Sequence, residues 1–296
     1  MKKVQLSVFL PDSLLSETKD LKLKTSKIGI IGRALAVFNV NKIVIYEDTY
    51  GNSLGNINSD RNDPNRNNLD RNRSSFDGEF ISKLLKYMDT PQYLRKSVFP
   101  IESDLKHVGI LPPLRTPNHP TVENFELGQY RQGFTVKRNN KGTFVDIGIG
   151  KLAFCKEQLT VNKIFSFKVI KIAKEIIVTP DAPNDIYWGY EALYTQKTLK
   201  NSLELINPDL ILITTRYGHE INSVFDDLKS KAINSKSVAI LFGSPYNGIS
   251  ETVCESIKSS QSDVLVINTV PNQGTETVRT EEALISTLAI LNIMLQ

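Results

Sequence analysis

The N-terminal stretch of the chain shows two different spacings of apolar residues. Residues 4–10 alternate like a strand, and residues 43–46 form a short apolar run typical of a buried strand. Between them, Ile28, Ile31, Leu35 and Phe38 recur every three or four positions, which predicts a helix over residues 21–38 with one apolar face. A strand, a helix and a second strand in this order indicate a parallel α/β sheet.

The same pattern returns in the C-terminal third of the chain. Three continuous apolar runs, at residues 210–214, 237–242 and 264–268, are typical of strands that are buried on both faces of a sheet. Helices are predicted between and after these strands. The two ends of the chain are therefore expected to form one α/β domain, made of residues 1–97 and 181–296.

The middle of the chain has a different pattern. Short β-rich runs at residues 134–136, 143–147, 152–154 and 164–170, with an Asn-Asn-Lys-Gly turn at 139–142, predict an inserted OB-like β-barrel over residues 98–180. Barrels of this kind often bind oligonucleotides. Its basic and aromatic residues are expected to contact RNA phosphates and bases, and they include Arg131, Phe134, Lys137, Arg138 and Phe144.

Residues 51–75 have an unusual composition, with eight Asn, four Arg and three Asp among them. Because apolar residues are almost absent, a mobile loop is predicted there. Two interpretations remain open, a tolerated surface insertion and an arm that contacts RNA. A short amphipathic helix is predicted directly after it, over residues 79–88.

Composition and charge narrow the class of protein. The chain has 296 residues, of which 40% are hydrophobic, as expected for a folded globular protein. With 36 Lys and Arg against 32 Asp and Glu, the formal charge of +4 permits RNA binding without requiring it. Neither a disulfide framework nor a metal site is predicted, since the only cysteines, Cys155 and Cys254, lie 99 positions apart. No apolar segment is long enough to span a membrane, and a cytoplasmic location is expected.

Three turns after consecutive C-terminal strands stand out, at residues 214–219, 242–248 and 268–274. Each is rich in Gly, Pro, Asn or Thr, and ligands of parallel α/β sheets bind at the carboxyl ends of the strands. The three turns are therefore predicted to converge on one site. The chain has neither a GxGxxG fingerprint after its first strand nor a P-loop, which disfavours a dinucleotide-dependent oxidoreductase.

Several motifs along nearly the whole chain resemble one known family. They are Leu6-Ser7-Val8-Phe9-Leu10-Pro11, Ile31-Gly32-Arg33-Ala34, Leu84-Leu85-Lys86-Tyr87-Met88, Pro91-Gln92-Tyr93-Leu94-Arg95-Lys96, Tyr187-Trp188-Gly189-Tyr190, Leu241-Phe242-Gly243, Asn268-Thr269-Val270-Pro271-Asn272-Gln273-Gly274 and Thr277-Val278-Arg279-Thr280-Glu281-Glu282-Ala283. The sequence resembles the SPOUT superfamily of RNA methyltransferases, in its archaeal and eukaryotic branch with an OB-like insertion. The resemblance implies a SPOUT-type parallel sheet with a C-terminal trefoil knot, bound S-adenosylmethionine, and a homodimer whose active sites form at the subunit interface.

The resemblance also implies site residues. Backbone atoms around the three turns would hold the cofactor, at Thr215, Phe242, Gly243, Gly248, Val270, Pro271, Gly274 and Thr277. Four side chains would orient the target base or its phosphate, namely Arg33, Gln273, Arg279 and Glu282. Glu282 is the candidate proton acceptor, and Arg33 would come from the partner subunit or else be a solvent-facing helix arginine. A structural alternative for residues 280–282 is an N-cap at Thr280 followed by first-turn acids.

The function predicted from these observations is an S-adenosylmethionine-dependent RNA methyltransferase. Ribosomal RNA is the expected substrate and a uridine base nitrogen the expected target. Methyl transfer from a sulfonium needs a positioned nucleophile and no metal ion. The alternative is a noncatalytic RNA-binding or ribosome-assembly protein, which is favoured by the departure of residues 244–250 from the family pattern.

Overall fold

The computed structural model describes residues 4–48, 66–120, 125–245, 247–259 and 263–295, and for residues 66–75 it describes the backbone alone. The chain divides into two compact units, one made of residues 1–85 and 190–296 and the other of residues 86–189. The first unit holds a parallel sheet with helices, and the second holds a closed β-barrel. The domain boundaries 98 and 180 stay a prediction.

The helices and strands of the described residues follow one another in three groups. The N-terminal group consists of β1 (Gln5–Pro11), α1 (Leu21–Val37), β2 (Lys42–Glu47) and α2 (Arg66–Asp89). The middle group consists of α3 (Gln92–Val98), β3 (Tyr130–Asn139), β4 (Gly142–Asp146), β5 (Leu152–Cys155), β6 (Ile164–Ile172) and β7 (Ile176–Pro180). The C-terminal group consists of β8 (Glu191–Thr198), α4 (Leu199–Ile206), β9 (Leu210–Glu220), α5 (Ile221–Asn234), β10 (Ser237–Leu241), α6 (Glu251–Lys258), β11 (Val264–Asn268) and α7 (Thr280–Met294).

The sheet of the first unit has the strand order β11-β9-β10-β1-β2-β8, and all its neighbouring strands are parallel. The predicted parallel α/β sheet is thereby confirmed. The first strand of the chain lies in the middle, where Val8 pairs with Ile240 on one side and Ile43 on the other. Because β11, β9 and β10 are adjacent and parallel, their carboxyl ends lie side by side at one edge of the sheet.

One face of this sheet packs against α4 and α6. Phe9, Val44, Ile211 and Leu241 are fully buried or nearly so, and they share a cluster with residues of both helices. Burial of such large side chains contributes roughly 1.5–3 kcal/mol each to folding. At a further contact, α1 packs against α7, where Lys27 and Glu281 form a largely buried ion pair of 3.3 Å.

The second unit contains a closed five-stranded barrel in the order β3-β4-β5-β7-β6. The predicted inserted barrel is confirmed as a separate closed barrel. Its interior is apolar, built from alternate residues of the strands, and includes Val145, Ala153, Phe167 and Val178. Outward-facing residues alternate with these inward ones, as the pleat of a strand requires.

The prediction that Arg131 contacts RNA is wrong. Its side chain is fully buried, its Nε donates a 2.8 Å hydrogen bond to the carbonyl of Ile147, and its guanidinium lies 5.2 Å from the ring centroid of Tyr93. On β3 the inward positions are Arg131, Gly133 and Thr135, so the basic residue points into the unit. A buried arginine with these partners is a structural group.

The mobile loop predicted over residues 51–75 is also wrong in part, because α2 begins at Arg66. No glycine or proline interrupts the chain between Arg66 and Asp77, and a helix that has formed over the amphipathic residues 79–88 extends at little cost per added residue. Residues 51–65 lie outside the described residues. The structure also adds an edge strand that the apolar pattern did not predict, β8.

Neither cysteine of the described chain is in a disulfide; both are buried, and burial raises the pKa of each thiol. Among the described helices, none is long and apolar enough to cross a membrane.

Candidate active site

The three predicted turns meet at the carboxyl ends of β9, β10 and β11. They line a cavity of about 370 Å³, a volume within the usual range for small-molecule sites. The described lining residues are Thr214, Thr215, Arg216, Tyr217, Phe242, Gly243, Ser244, Pro245, Asn247, Gly248, Asn268, Thr269, Val270, Gln273, Thr277, Val278, Thr280 and Ala283. Most are apolar or neutral polar residues, and several approach through the backbone.

The first turn is a break in strand pairing. Along β11, Val266 pairs with Ile213 of β9, but the next residue, Ile267, pairs with His219. Residues 214–218 of β9 therefore bulge away from β11, and residues 214–217 line the cavity. The return to pairing requires a glycine, because a Cβ at Gly218 would lie 2.6 Å from the backbone of Ile267.

The second turn closes tightly on itself. Ser244 and Gly248 exchange two backbone hydrogen bonds of 3.2 and 3.0 Å. A Cβ at Gly243 would lie 2.1 Å from the carbonyl carbon of Gly248, which no side chain tolerates. Gly248 itself has a φ of 63°, in the left-handed region that favours glycine.

Two hydrogen bonds from other strands of the sheet fix the second turn in place. The hydroxyl of Tyr46, at the end of β2, donates to the carbonyl of Phe242 at 2.8 Å. Thr214 Oγ1 donates to the carbonyl of Leu241 at 2.7 Å. Burial, helped by the carboxylates of Asp48 and Asp12, raises the pKa of Tyr46 well above its ordinary value, so its hydroxyl keeps the proton that it donates.

The third turn is tied to the first turn and to α7. Asn268 Nδ2 donates to the carbonyl of Arg216 at 3.1 Å, and Asn268 Oδ1 accepts from the amide of Val270 at 3.0 Å. The hydroxyls of Thr269 and Thr287 lie 2.8 Å apart, which links the turn to the buried face of α7. These bonds hold the third turn in place against the first turn and against α7.

Arg216 and Tyr217 are two cavity residues that the sequence reasoning did not select. Arg216 is the one charged side chain among the described residues of the lining, and its guanidinium lies 4.7 Å from the ring centroid of Tyr217. It donates to the tyrosine hydroxyl at 2.5 Å and to the carbonyl of Glu276 at 3.3 Å. Tyr217 is 80% exposed. Their signal in the sequence was a basic and an aromatic residue directly after a buried strand.

Most of the predicted cofactor-binding residues lie at the cavity. Thr215, Phe242, Gly243, Gly248, Val270 and Thr277 line it, whereas Pro271 and Gly274 are not among its lining residues. The backbone of Phe242 is already engaged, since its amide donates to the carbonyl of Phe9 at 3.0 Å and its carbonyl accepts from Tyr46. The roles of all eight residues stay predictions.

The four predicted catalytic residues are not all in one place. Gln273 lines the cavity, and its Nε2 donates to the carbonyls of Thr275 and Glu276 at 2.9 and 3.0 Å. Arg33, on α1, Arg279 and Glu282 are not among the lining residues. Their catalytic roles stay predictions.

At the start of α7, the side chain of Glu282 and the backbone of Arg279 have a structural role. Glu282 Oε2 accepts a 2.9 Å hydrogen bond from the backbone amide of Arg279, the N-cap residue of the helix. The expected N-cap at Thr280 is wrong by one position, because Thr280 is the first helical residue and is buried. This bond satisfies an otherwise unpaired donor of the first turn.

Comparison with known proteins places the chain in a family. Residues 5–291 match the family described as "Putative RNA methyltransferase". The chain belongs to this family, and the prediction of a methyltransferase enzyme is confirmed at this level.

Individual relatives agree over nearly the whole chain. An uncharacterized protein of Halobacterium salinarum is 27% identical, covering 97% of this chain and 98% of its own length. The 28S rRNA (uridine-N(3))-methyltransferase of Drosophila melanogaster is 27% identical, covering 98% of this chain and 62% of its own length. The Homo sapiens protein of the same name is 26% identical, covering 97% of this chain and 77% of its own length.

The tight second turn makes a testable prediction. Gly243→Ala should lower the melting temperature by several degrees, because its methyl group displaces the backbone at Gly248 at a cost of about 1–3 kcal/mol. Gly274→Ala is the matched control, since a Cβ there meets nothing within 4 Å and should leave stability unchanged. Thermal unfolding followed by circular dichroism measures both. Equal melting temperatures for the two variants would contradict the steric account.

Proposed function

We propose that this protein is an S-adenosylmethionine-dependent methyltransferase that acts on ribosomal RNA, at N3 of a uridine. The observation that carries the proposal is the cavity formed by three consecutive strand-end turns in a chain of this family. The names of the Drosophila melanogaster and Homo sapiens relatives supply the substrate and the target atom.

The residues of the cavity fit this cofactor. Val270 and Val278 offer apolar surface for a purine ring, while threonine hydroxyls and backbone groups offer hydrogen bonds. No carboxylate is among the described lining residues, and Arg216 is the one charged side chain there. When bound, S-adenosylmethionine supplies an electrophilic methyl group. The protein then has to hold the accepting atom in line and at close range.

Arg216 and Gln273 are suited to different parts of a bound uridine. When the N3 proton leaves to solvent water, the base carries negative charge on its carbonyl oxygens, and a guanidinium held by Tyr217 and the Glu276 carbonyl stabilises such charge. Gln273 uses its NH₂ on two backbone carbonyls, which leaves its carbonyl oxygen to accept a hydrogen bond from a ligand. The one N–H of a uracil base is the N3–H that is replaced, so we assign charge stabilisation to Arg216 and the binding of a ribose hydroxyl to Gln273.

Tyr217 offers a surface for the target base. Its ring is largely exposed beside the cavity and is held on one side by Arg216. Stacking on an aromatic ring is a common way to hold an unpaired base outside its helix.

We also propose that the protein is a homodimer with a C-terminal trefoil knot, as the resemblance implies. Support for the dimer comes from α1, where Leu23, Ile30 and Val37 are 61%, 48% and 56% exposed at seven-residue spacing on one face. Ile293 on the adjoining α7 is 64% exposed. A second copy of this chain would cover such an apolar face. Arg33, on the same helix, would then reach the partner's active site.

One prediction of the proposed function concerns the reaction itself. Titration calorimetry should detect S-adenosylmethionine binding. Ribosomal RNA from cells that lack this protein should gain 3-methyluridine when it is incubated with the protein and S-adenosylmethionine, and mass spectrometry of the nucleosides measures the gain. Cofactor binding without methylation of any RNA would favour the noncatalytic alternative. As a matched pair, Tyr217→Ala should raise KM for RNA by about tenfold and Tyr217→Phe should leave KM unchanged, because phenylalanine keeps the stacking surface. Tyr217→Phe should still lower kcat, because Arg216 loses the hydroxyl to which it donates.

A second prediction separates the roles of Arg279 and Glu282. Arg279→Ala should lower methylation by about tenfold with little change in melting temperature, because its backbone amide still donates to Glu282. Glu282→Ala should lower stability by about 0.5–2 kcal/mol, because α7 loses its capping carboxylate. Turnover assays and thermal unfolding distinguish the two. An Arg279→Ala protein that melts several degrees lower would show that Arg279 has a structural role.

A third prediction tests the dimer. Ile30→Glu should convert the protein to a monomer in sedimentation velocity, since it places a charge in the proposed interface. Leu205→Glu on α4 is the control, because Leu205 is about as exposed but lies on another helix. If the active sites form at the interface, the monomeric Ile30→Glu variant should also methylate RNA more slowly than the wild-type protein. A wild-type protein that sediments as a monomer would contradict the proposal.

A further inference from the structure

Basic residues are concentrated in the barrel strands and their connections. Residues 130–180 contain ten Lys and Arg against three Asp and Glu, a formal charge of +7. The rest of the chain contains 26 Lys and Arg against 29 Asp and Glu, a formal charge of −3. The modest charge of the whole protein therefore conceals a strongly basic segment. Such an imbalance favours a polyanionic partner for the barrel.

Strand register places one row of side chains across the outside of this barrel. Lys137 of β3 pairs with Phe144 of β4, Phe144 pairs with Phe154 of β5, Phe154 pairs with Ile177 of β7, and Ile177 pairs with Lys171 of β6. We call these five residues the barrel row. The residues that follow three of them, Val145, Cys155 and Val178, belong to the apolar interior, so the row itself faces outward.

The centre of the barrel row is aromatic and its two ends are basic. The rings of Phe144 and Phe154 lie 5.3 Å apart at an interplanar angle of 61°. Lys137 Nζ lies 5.2 Å from the ring centroid of Phe144, and both Lys137 and Lys171 are exposed. Exposed Arg138, on the same hairpin as Lys137, adds a further charge.

This arrangement matches the chemistry of a single-stranded nucleic acid. Flat rings bind the faces of unpaired bases without reading their sequence, and ammonium groups beside them bind the phosphates that link those bases. In a double helix the base faces are stacked on one another, so they are not accessible to aromatic side chains of a protein surface.

We propose that the barrel row is a binding surface for a single-stranded segment of the RNA substrate, with Phe144 and Phe154 contacting bases and Lys137 and Lys171 contacting phosphates. The proposal rests on the proposed function and adds to it the place where RNA is held apart from the methylated base. It assigns no catalytic step to the barrel.

Fluorescence anisotropy with a labelled oligouridylate of about 12 nucleotides tests the barrel row in the full-length protein. Lys137→Gln/Phe144→Leu should weaken binding by about tenfold or more and reduce the salt dependence of affinity, because it removes one base contact and one phosphate contact. Lys137→Gln/Lys171→Gln should also weaken binding, and it changes only exposed side chains, which keeps the test valid if the first variant folds poorly.

The barrel offers a matched control. Lys168 and Tyr130 form a second lysine and aromatic pair, at 5.3 Å, but the tyrosine hydroxyl is hydrogen bonded to the Asp181 carboxylate at 3.1 Å. Tyr130→Leu/Lys168→Gln should bind the oligonucleotide within about twofold of the wild-type protein, since it removes the same types of group at another place. The proposal would be overturned if this variant and Lys137→Gln/Phe144→Leu weakened oligonucleotide binding equally, or if neither weakened it. Tighter binding of a duplex of the same length would also overturn it.

Failure of the proposed function has a different signature. Methyl incorporation and S-adenosylmethionine binding are measured on the same preparations. Loss of oligonucleotide binding in the barrel-row variants supports the surface even if no RNA is methylated. Normal methylation with oligonucleotide affinity unchanged in those variants overturns the surface and leaves the proposed function intact.

Discussion

The break in register between β9 and β11 is the constraint on which the candidate active site depends. If the two strands stayed paired beyond Ile213 and Val266, residues 214–218 would lie flat in the sheet and no wall would separate the first turn from the third. Gly218 lets pairing resume, and Asn268 bonds the displaced segment back to the third turn. The cavity is therefore a local departure from regular sheet structure, and the regular pairing of β9 and β11 before and after the break holds it in place.

Apolar periodicity was enough to predict the central strands of the sheet, because strands buried on both faces leave a continuous apolar run, as at residues 210–214 and 237–242. It missed β8, an edge strand with polar residues such as Thr195 and Lys197. It also missed the start of α2 at Arg66, because Leu69 is the one apolar residue before Phe76 and marks no helical face. The prediction also placed Arg131 on the wrong side of the barrel, because the alternation of side chains along β3 turns Phe134 outward and Arg131 inward.

The place of the site could be predicted from the three turns, but the identity of its charged group could not. Whether Arg216 or Arg279 reaches the cavity depends on which residues the register break displaces and on where α7 begins. Both are decided by tertiary pairing, which leaves no mark in local sequence. The glycines are the exception. A steric requirement at Gly243 or Gly218 is visible as a residue type, although its partner is not.

The hydrogen bond from Tyr46 to Phe242 has a consequence for how the protein is made. It joins residues 196 positions apart. Likewise β1, in the middle of the sheet, cannot complete its pairing until β10 has been synthesised. A nascent chain therefore exposes one edge of β1 throughout the synthesis of the barrel, and the cavity is absent until the last strands leave the ribosome. Premature termination within the final third of the gene would yield an incomplete sheet, prone to aggregation, rather than a weaker enzyme.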